Sequence, residues 1–172
     1  MRSPEVIVRA PRAADERAFL EAVRRSRRLH GSWVSPESTP REFRAYLKRV
    51  RRPSGAGYLI CLAVTGEIAG VVNVTEIVRG CFQSAYLGYF AFAPHAGRGC
   101  MKEGLGQVLS AAFGELGLHR LEANIQPANR ASIALVRSLG FRKEGLSPRY
   151  LKIGGRWRDH ERWAILAEEW RR

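Results

Sequence analysis

Gly97 and Gly99 stand two residues apart where a β-prone run, Tyr86 to Phe92, must give way to a helical pattern, Met101 to Leu116. The first turn of a helix presents N–H groups with no partner and a partial positive charge. Glycines at that point let an anion approach those donors closely. The stretch Pro94 to Leu105 therefore reads as a phosphate cradle. Two nucleotide cradles fail on spacing. A dinucleotide fingerprint, G-x-G-x-x-G, needs a third glycine, and counting from Gly97 that slot holds Lys102. A Walker loop counted from Gly99 finds Gly104, but Leu105 and Gly106 replace its Lys and Ser/Thr.

Other reactive side chains are scattered. Cys100 falls in the first turn of the expected helix, where a thiolate is stabilised and a nucleophilic role is conceivable, but no paired His is evident. Cys61, Cys81 and Cys100 are odd in number and far apart, so reduced thiols are expected. His30, His95, His119 and His160 make no metal-ligand spacing, and no metal site is expected. The net charge is +13, and all but Lys48, Lys102, Lys143 and Lys152 of the 29 basic residues are arginine. Such a surface attracts polyanions, whether phosphates, RNA or an acidic acceptor. Many of these arginines need only be a solvated face.

The elements that must position these residues follow from pattern. One domain, residues 1–172, is expected from the length. No apolar run reaches the roughly 18 residues of a membrane span. Arg9 and Arg12 interrupt the place of a signal-peptide core, so a cytoplasmic protein is expected. Val6 to Arg9 reads as a strand. Asp15 opens a helix with Ala18, Phe19, Ala22 and Val23 on one face, and Arg24, Arg25, Arg27 and Arg28 suit its C-terminal end. Thr39-Pro40-Arg41-Glu42 is a capping box for a second helix bearing Phe43, Tyr46, Leu47 and Val50. Ser54 to Gly57 reads as a turn. Strands Tyr58–Thr65, Glu67–Ile77 and Tyr86–Phe92 then form an antiparallel meander. After the cradle helix, ended by Gly117, come a strand Arg120–Ile125 and a short helix capped by Asn129. That helix is closed by Gly140. Two last strands, Phe141–Ile153 and Arg156–Leu166, are joined by Gly154-Gly155.

Strand, Arg/Gly turn and amphipathic helix, then Asn129-Arg130-Ala131-Ser132 and Leu139-Gly140-Phe141, resemble the GNAT superfamily of acyl-CoA-dependent N-acetyltransferases. Gly97 to Leu105, Leu118 to Asn124 and Gly155 to His160 resemble its RimJ/RimL branch, the ribosomal-protein-alanine N-acetyltransferases. Of the superfamily's pyrophosphate signature only Gly99 matches; Ala96 stands in the first slot and Met101 in the last. The resemblance implies an α/β (α+β) fold. Its mixed, mostly antiparallel twisted sheet is splayed in the middle and flanked by about four helices.

The resemblance also implies the chemistry. Acetyl-CoA is the cosubstrate. The backbone of Phe90, Ala91, Phe92 and Ala93 pairs with pantetheine. The N–H groups of Gly97, Arg98, Gly99, Cys100, Met101 and Lys102 hold the pyrophosphate, with charge added by Arg98 and Lys102. Asn129 binds pantetheine and Ser132 donates to the leaving thiolate, though both also suit helix capping. Glu122 lines the splay as the expected base, with Glu76 and Glu103 flanking it. Trp33, Tyr86, Tyr89 and Trp157 suit packing or the acceptor groove. Direct transfer in a ternary complex is implied, in a monomer or homodimer. The acceptor is a protein N-terminus, with a ribosomal protein implied and the basic surface docking near RNA. A small-molecule amine (antibiotic, polyamine or amino acid) stays open as acceptor. So does a non-catalytic acyl-CoA sensor or RNA-associated module.

Overall fold

Leu59, Ile60 and Cys61 are consecutive and all buried, yet they belong to two different cores. Alternate residues of a strand point to opposite faces, so a continuous apolar run means a sheet covered on both sides. The same alternation places Val71 in one core and Val72 and Val74 in the other, and a bulge at Ala69 shifts the phase so that Ile68 joins Val71 and Ala69 joins Val72.

The computed structural model describes residues 5–170; residues 1–4 and 171–172 of the expected 1–172 domain lie outside the described residues. The order is β1 (Val6–Arg9), α1 (Glu16–Arg25), α2 (Arg27–His30), α3 (Pro40–Arg49), β2 (Gly55–Leu62), β3 (Ile68–Val78) and β4 (Ser84–Ala91). Then follow α4 (Cys100–Gly114), β5 (Arg120–Ile125), α5 (Arg130–Ser138), β6 (Arg142–Ile153) and β7 (Arg156–Leu166). Seven strands form one sheet in the order β1-β2-β3-β4-β5-β7-β6. Only β4 and β5 pair parallel; the other neighbours are antiparallel. This is the expected mixed α/β sheet.

The splay is explicit in the register. β4 and β5 pair from Ser84–Arg120 to Leu87–Ala123 and no further. Beyond that, β4 stays with β3 as far as Ala91–Gly70, and β5 stays with β7 as far as Ile125–Glu161. A gap opens between two strands that are each held from the other side.

On one face α1 and α3 build a core from Phe19, Phe43, Tyr46 and Phe92. On the other lies α4, whose Leu105, Val108, Leu109 and Ala112 are wholly buried. Each buried Leu or Val contributes roughly 1.5–3 kcal/mol, against about 0.3–1 kcal/mol for charge at a helix end. Packing, not capping, therefore holds α4 in place. Gly104 lets it lie close: a Cβ there would be 2.5 Å from Cδ1 of Ile60.

One expectation needs correction and another is made more definite. Gly55 to Gly57 form strand rather than turn, pairing with Thr75 to Asn73. The glycines serve packing, since a Cβ on Gly57 would stand 2.8 Å from Cβ of Val50 and 2.9 Å from the Tyr46 hydroxyl. About four flanking helices are expected; five stand among the described residues, because the first arginine-rich helix breaks at Ser26. That side chain is wholly buried; its Oγ donates to the Ala22 carbonyl at 2.7 Å and accepts from the Ala93 N–H at 2.9 Å.

Gly104→Val should lower stability by about 1–3 kcal/mol, because the added branches must displace Ile60. Chemical denaturation would show a lower midpoint with an unchanged slope.

Candidate active site

The cradle is built by the entry into α4. Gly97 and Gly99 take left-handed φ of 75° and 88°, and space is open where a Cβ on Gly97 would stand. Glu103 is the first residue of the turn to find a helical acceptor, the Gly99 carbonyl. Among the described residues, the N–H groups of Gly97, Gly99, Cys100, Met101 and Lys102 have no backbone acceptor. The Arg98 N–H instead meets the His95 carbonyl at 3.4 Å. The Arg98 and Lys102 side chains are exposed and form no ion pair among the described residues. His95 pins the loop from behind, with Nε2 3.2 Å from Oε2 of Glu67. Met101 lays its sulfur over Gly70, where a Cβ would be 2.3 Å away. Cys100 is buried, and burial pushes its thiol up, against any role as a ready thiolate.

A cavity of about 830 Å³ runs from the cradle through the splay. Its α4 and α5 side carries Tyr89 and Ser132, whose hydroxyl oxygens are 2.7 Å apart. Burial pushes the Tyr89 phenol up to about 12, so it stays a neutral donor at physiological pH. Asn129 caps α5, its side-chain oxygen accepting from the Ser132 N–H at 3.2 Å. The cap thus places the Ser132 hydroxyl at the gap, and Asn129 itself also lines the cavity.

The edge of β4 is less open than expected. Phe92 donates to the Ala69 carbonyl across β3, so Ala91 presents its backbone groups away from β3. The Ala91 carbonyl accepts from Nε2 of His30 at 2.9 Å, and the Ala93 N–H is taken by Ser26. Of the Phe90 to Ala93 stretch this leaves the Ala91 N–H facing the gap. His30 is buried against Phe90, and burial lowers its affinity for a proton.

The opposite side of the cavity carries Trp33, Tyr86, Tyr150 and His160. The neighbouring Tyr150 hydroxyl, then burial, pushes the Tyr86 phenol up to about 12. Glu122 does not reach this space. It is paired with Arg120 at 2.8 Å and is not among the residues lining the cavity. Glu103 points elsewhere too, with its Oε1 3.4 Å from Nε2 of Gln107. Glu76 does line the cavity, on a bulge of β3 with φ of 51°. Trp157 lies outside it and is exposed. Neither the His30 and Ser26 contacts nor the Tyr89–Ser132 pair was readable from spacing, because each joins segments at least 43 residues apart. Among the described residues no cluster of His, Cys, Asp or Glu could hold a metal ion, and no helix is long and apolar enough to cross a membrane.

Comparison with known proteins agrees with this geometry. The family model described as an acetyltransferase (GNAT) domain matches residues 5–142. A probable N-acetyltransferase of Bacillus subtilis, YjcK, is 35% identical over 134 residues, 78% of this chain and 74% of that protein. The [ribosomal protein uS5]-alanine N-acetyltransferase of Escherichia coli is 40% identical over 104 residues, 60% of this chain and 54% of that protein. Mycobacterium smegmatis RimJ, solved in complex with CoA-disulfide, superposes with a TM-score of 0.89 at 28% identity, covering 97% of this chain and 84% of its own. Spermidine N-acetyltransferase from Vibrio cholerae, solved with CoA and spermine, superposes at 0.81 with 23% identity, over 95% and 96% of the two chains, a likeness of fold.

Ser132→Ala should lower kcat on the order of 10²-fold with CoA affinity nearly unchanged, the loss expected for one transition-state donor. Tyr89→Phe should cost less, and the double variant no more than the larger single loss, because the two hydroxyls act as a unit. Steady-state kinetics and calorimetry check both. Gly99→Val should weaken CoA binding at least tenfold, since a β-branched residue at φ of 88° distorts the cradle.

Proposed function

Since this chain belongs to the GNAT acetyltransferase family and is an acetyl-CoA-dependent N-acetyltransferase, we propose that the amine it acetylates is the α-amino group at a protein N-terminus, with a ribosomal protein the favoured acceptor. The cradle N–H groups, with Arg98 and Lys102, hold the pyrophosphate. The Ala91 N–H and Asn129 serve the pantetheine, and Ser132 with Tyr89 serves the sulfur end.

The lining of the acceptor side carries this reading. It is aromatic with neutral polar groups, and Glu76 is its one carboxylate among the described residues. A polyamine brings two or more ammonium groups into the site, and each needs a negative partner when desolvated. A peptide end brings one ammonium group on a largely neutral body. Its reference pKa of about 7.7–8.0 leaves part of it already neutral near pH 7. The rim supports the same acceptor. Arg24, Arg25, Arg27 and Arg28 are exposed and form no ion pair among the described residues, while Leu29 and His30, next in the chain, line the cavity. That electropositive lip suits an acceptor segment presented beside RNA, in the cytoplasm.

Peptides with a free N-terminal alanine should be acetylated with kcat/KM at least tenfold above spermidine, read by release of free CoA thiol. Peptides blocked at the N-terminus but carrying lysine should be poor acceptors. Faster turnover of spermidine would overturn the reading, and binding of acetyl-CoA with no turnover of any amine would leave a sensor.

A further inference from the structure

His160 is a buried titratable side chain on the acceptor side of the cavity, about 3% exposed. Its Nδ1 lies 2.9 Å from the Arg158 carbonyl. A carbonyl only accepts, so Nδ1 carries the hydrogen, and the lone pair of the neutral ring sits on Nε2. That nitrogen makes no hydrogen bond to any described residue. The Tyr150 ring stands over the imidazole, with centroids 6.4 Å apart.

Asn124 pairs with Arg162 across β5 and β7, and His160 lies two residues along from Arg162. Both side chains therefore share one face of the sheet as diagonal neighbours, roughly 7–8 Å apart at the backbone. Both line the cavity. Oδ1 of Asn124 is buried and has no hydrogen-bond partner. Leaving such an acceptor empty is unfavourable, and a donor from a bound molecule would relieve it. The other candidate bases are less suited. Glu122 is committed to Arg120, Glu76 is solvated and Tyr86 and Tyr89 stay protonated. His30 is tied by Nε2 to the Ala91 carbonyl at the end of β4, and burial lowers its affinity for a proton.

We propose that Nε2 of His160 takes the proton from the acceptor ammonium while Oδ1 of Asn124 holds that nitrogen in place; this rests on the amine acetylation proposed above. One N–H bond of the ammonium breaks and its proton moves to Nε2. The freed nitrogen pair forms a bond to the thioester carbonyl carbon. The C–S bond breaks with its pair on sulfur, which receives the second amine proton by way of the Ser132 and Tyr89 hydroxyls. The products are the amide and the CoA thiol, and the imidazolium returns its proton to solvent. The titratable and charged groups sharing the face or cavity are Arg158 and Arg162 on its own strand, Tyr150 on β6 and Glu122 with Arg120 on β5. Tyr86 and Tyr89 on β4, Glu76 on β3, His30 on α2 and Lys102 on α4 complete the set among the described residues.

The test is kcat/KM against pH for the wild type, His160→Asn and His160→Gln, using an N-terminally free peptide that the wild type turns over. The Asn amide can still donate to the Arg158 carbonyl, and calorimetry should give CoA affinity within about twofold of wild type. Near pH 7 the variants should be roughly 6–11-fold slower, the inverse of the fraction of such an amine that is already neutral there. The deficit should close as pH passes the amine's own pKa, about 7.7–8.0, because the acceptor then arrives neutral. Variants within about threefold of wild type at pH 7, or slower by one constant factor at every pH, would overturn the proposal. A wild-type profile that climbs to a plateau set by the amine alone would overturn it whatever the variants do. Failure of the wild type to acetylate any amine would instead strike the functional reading beneath it.

Discussion

The parting of β4 from β5 after Leu87–Ala123 is the constraint on which the rest depends. Each strand keeps its outer neighbour, so the sheet remains continuous at one end and opens at the other. The opening is wide enough for a cavity because nothing bridges it by backbone hydrogen bonds. On the proposed function, a thioester placed there would meet the α4 and α5 side through one set of groups and its acceptor through another, so the sheet would separate the two substrates and let them touch at one level.

The division of labour across the gap follows from strand alternation. Residues of odd number on β4, such as Leu87 and Tyr89, face α4 and α5. Tyr86 and Phe90 face the other way, towards α2 and the α1–α3 core. On β5 and β7 the same rule sends Leu121, Ala123, Trp163 and Ile165 into the α4 core. It sends Asn124 and His160 to the acceptor side. A shift of one residue in either register would exchange the two sets.

Much of this was legible in local signals. The Thr39 capping box, the Asn129 cap and the Gly154-Gly155 turn mark element ends by their own hydrogen bonding or backbone freedom, and the structure places helix and strand ends beside them. The cradle was legible for the same reason: glycine before a helix is a local statement. Tertiary facts were not. Gly55 and Gly57 look like turn residues until α3 is laid across them. Ser26 looks like one more polar residue in an arginine-rich helix until it meets Ala93. Glu122 looks like a base until Arg120, two residues earlier on the same strand face, turns to it; that neighbour was visible in the chain and could have been weighed.

The two plugs on the end of β4 have a wider consequence. A splayed sheet exposes an internal edge, and bare edges invite pairing with strands of other molecules. His30 on the Ala91 carbonyl and Ser26 on the Ala93 N–H leave only a short unpaired length. Such a stub can accept one amide of a slender ligand, but it offers too little ladder for a foreign strand to zip onto. The break between α1 and α2 thereby guards the protein against self-association at the very place where it must stay open.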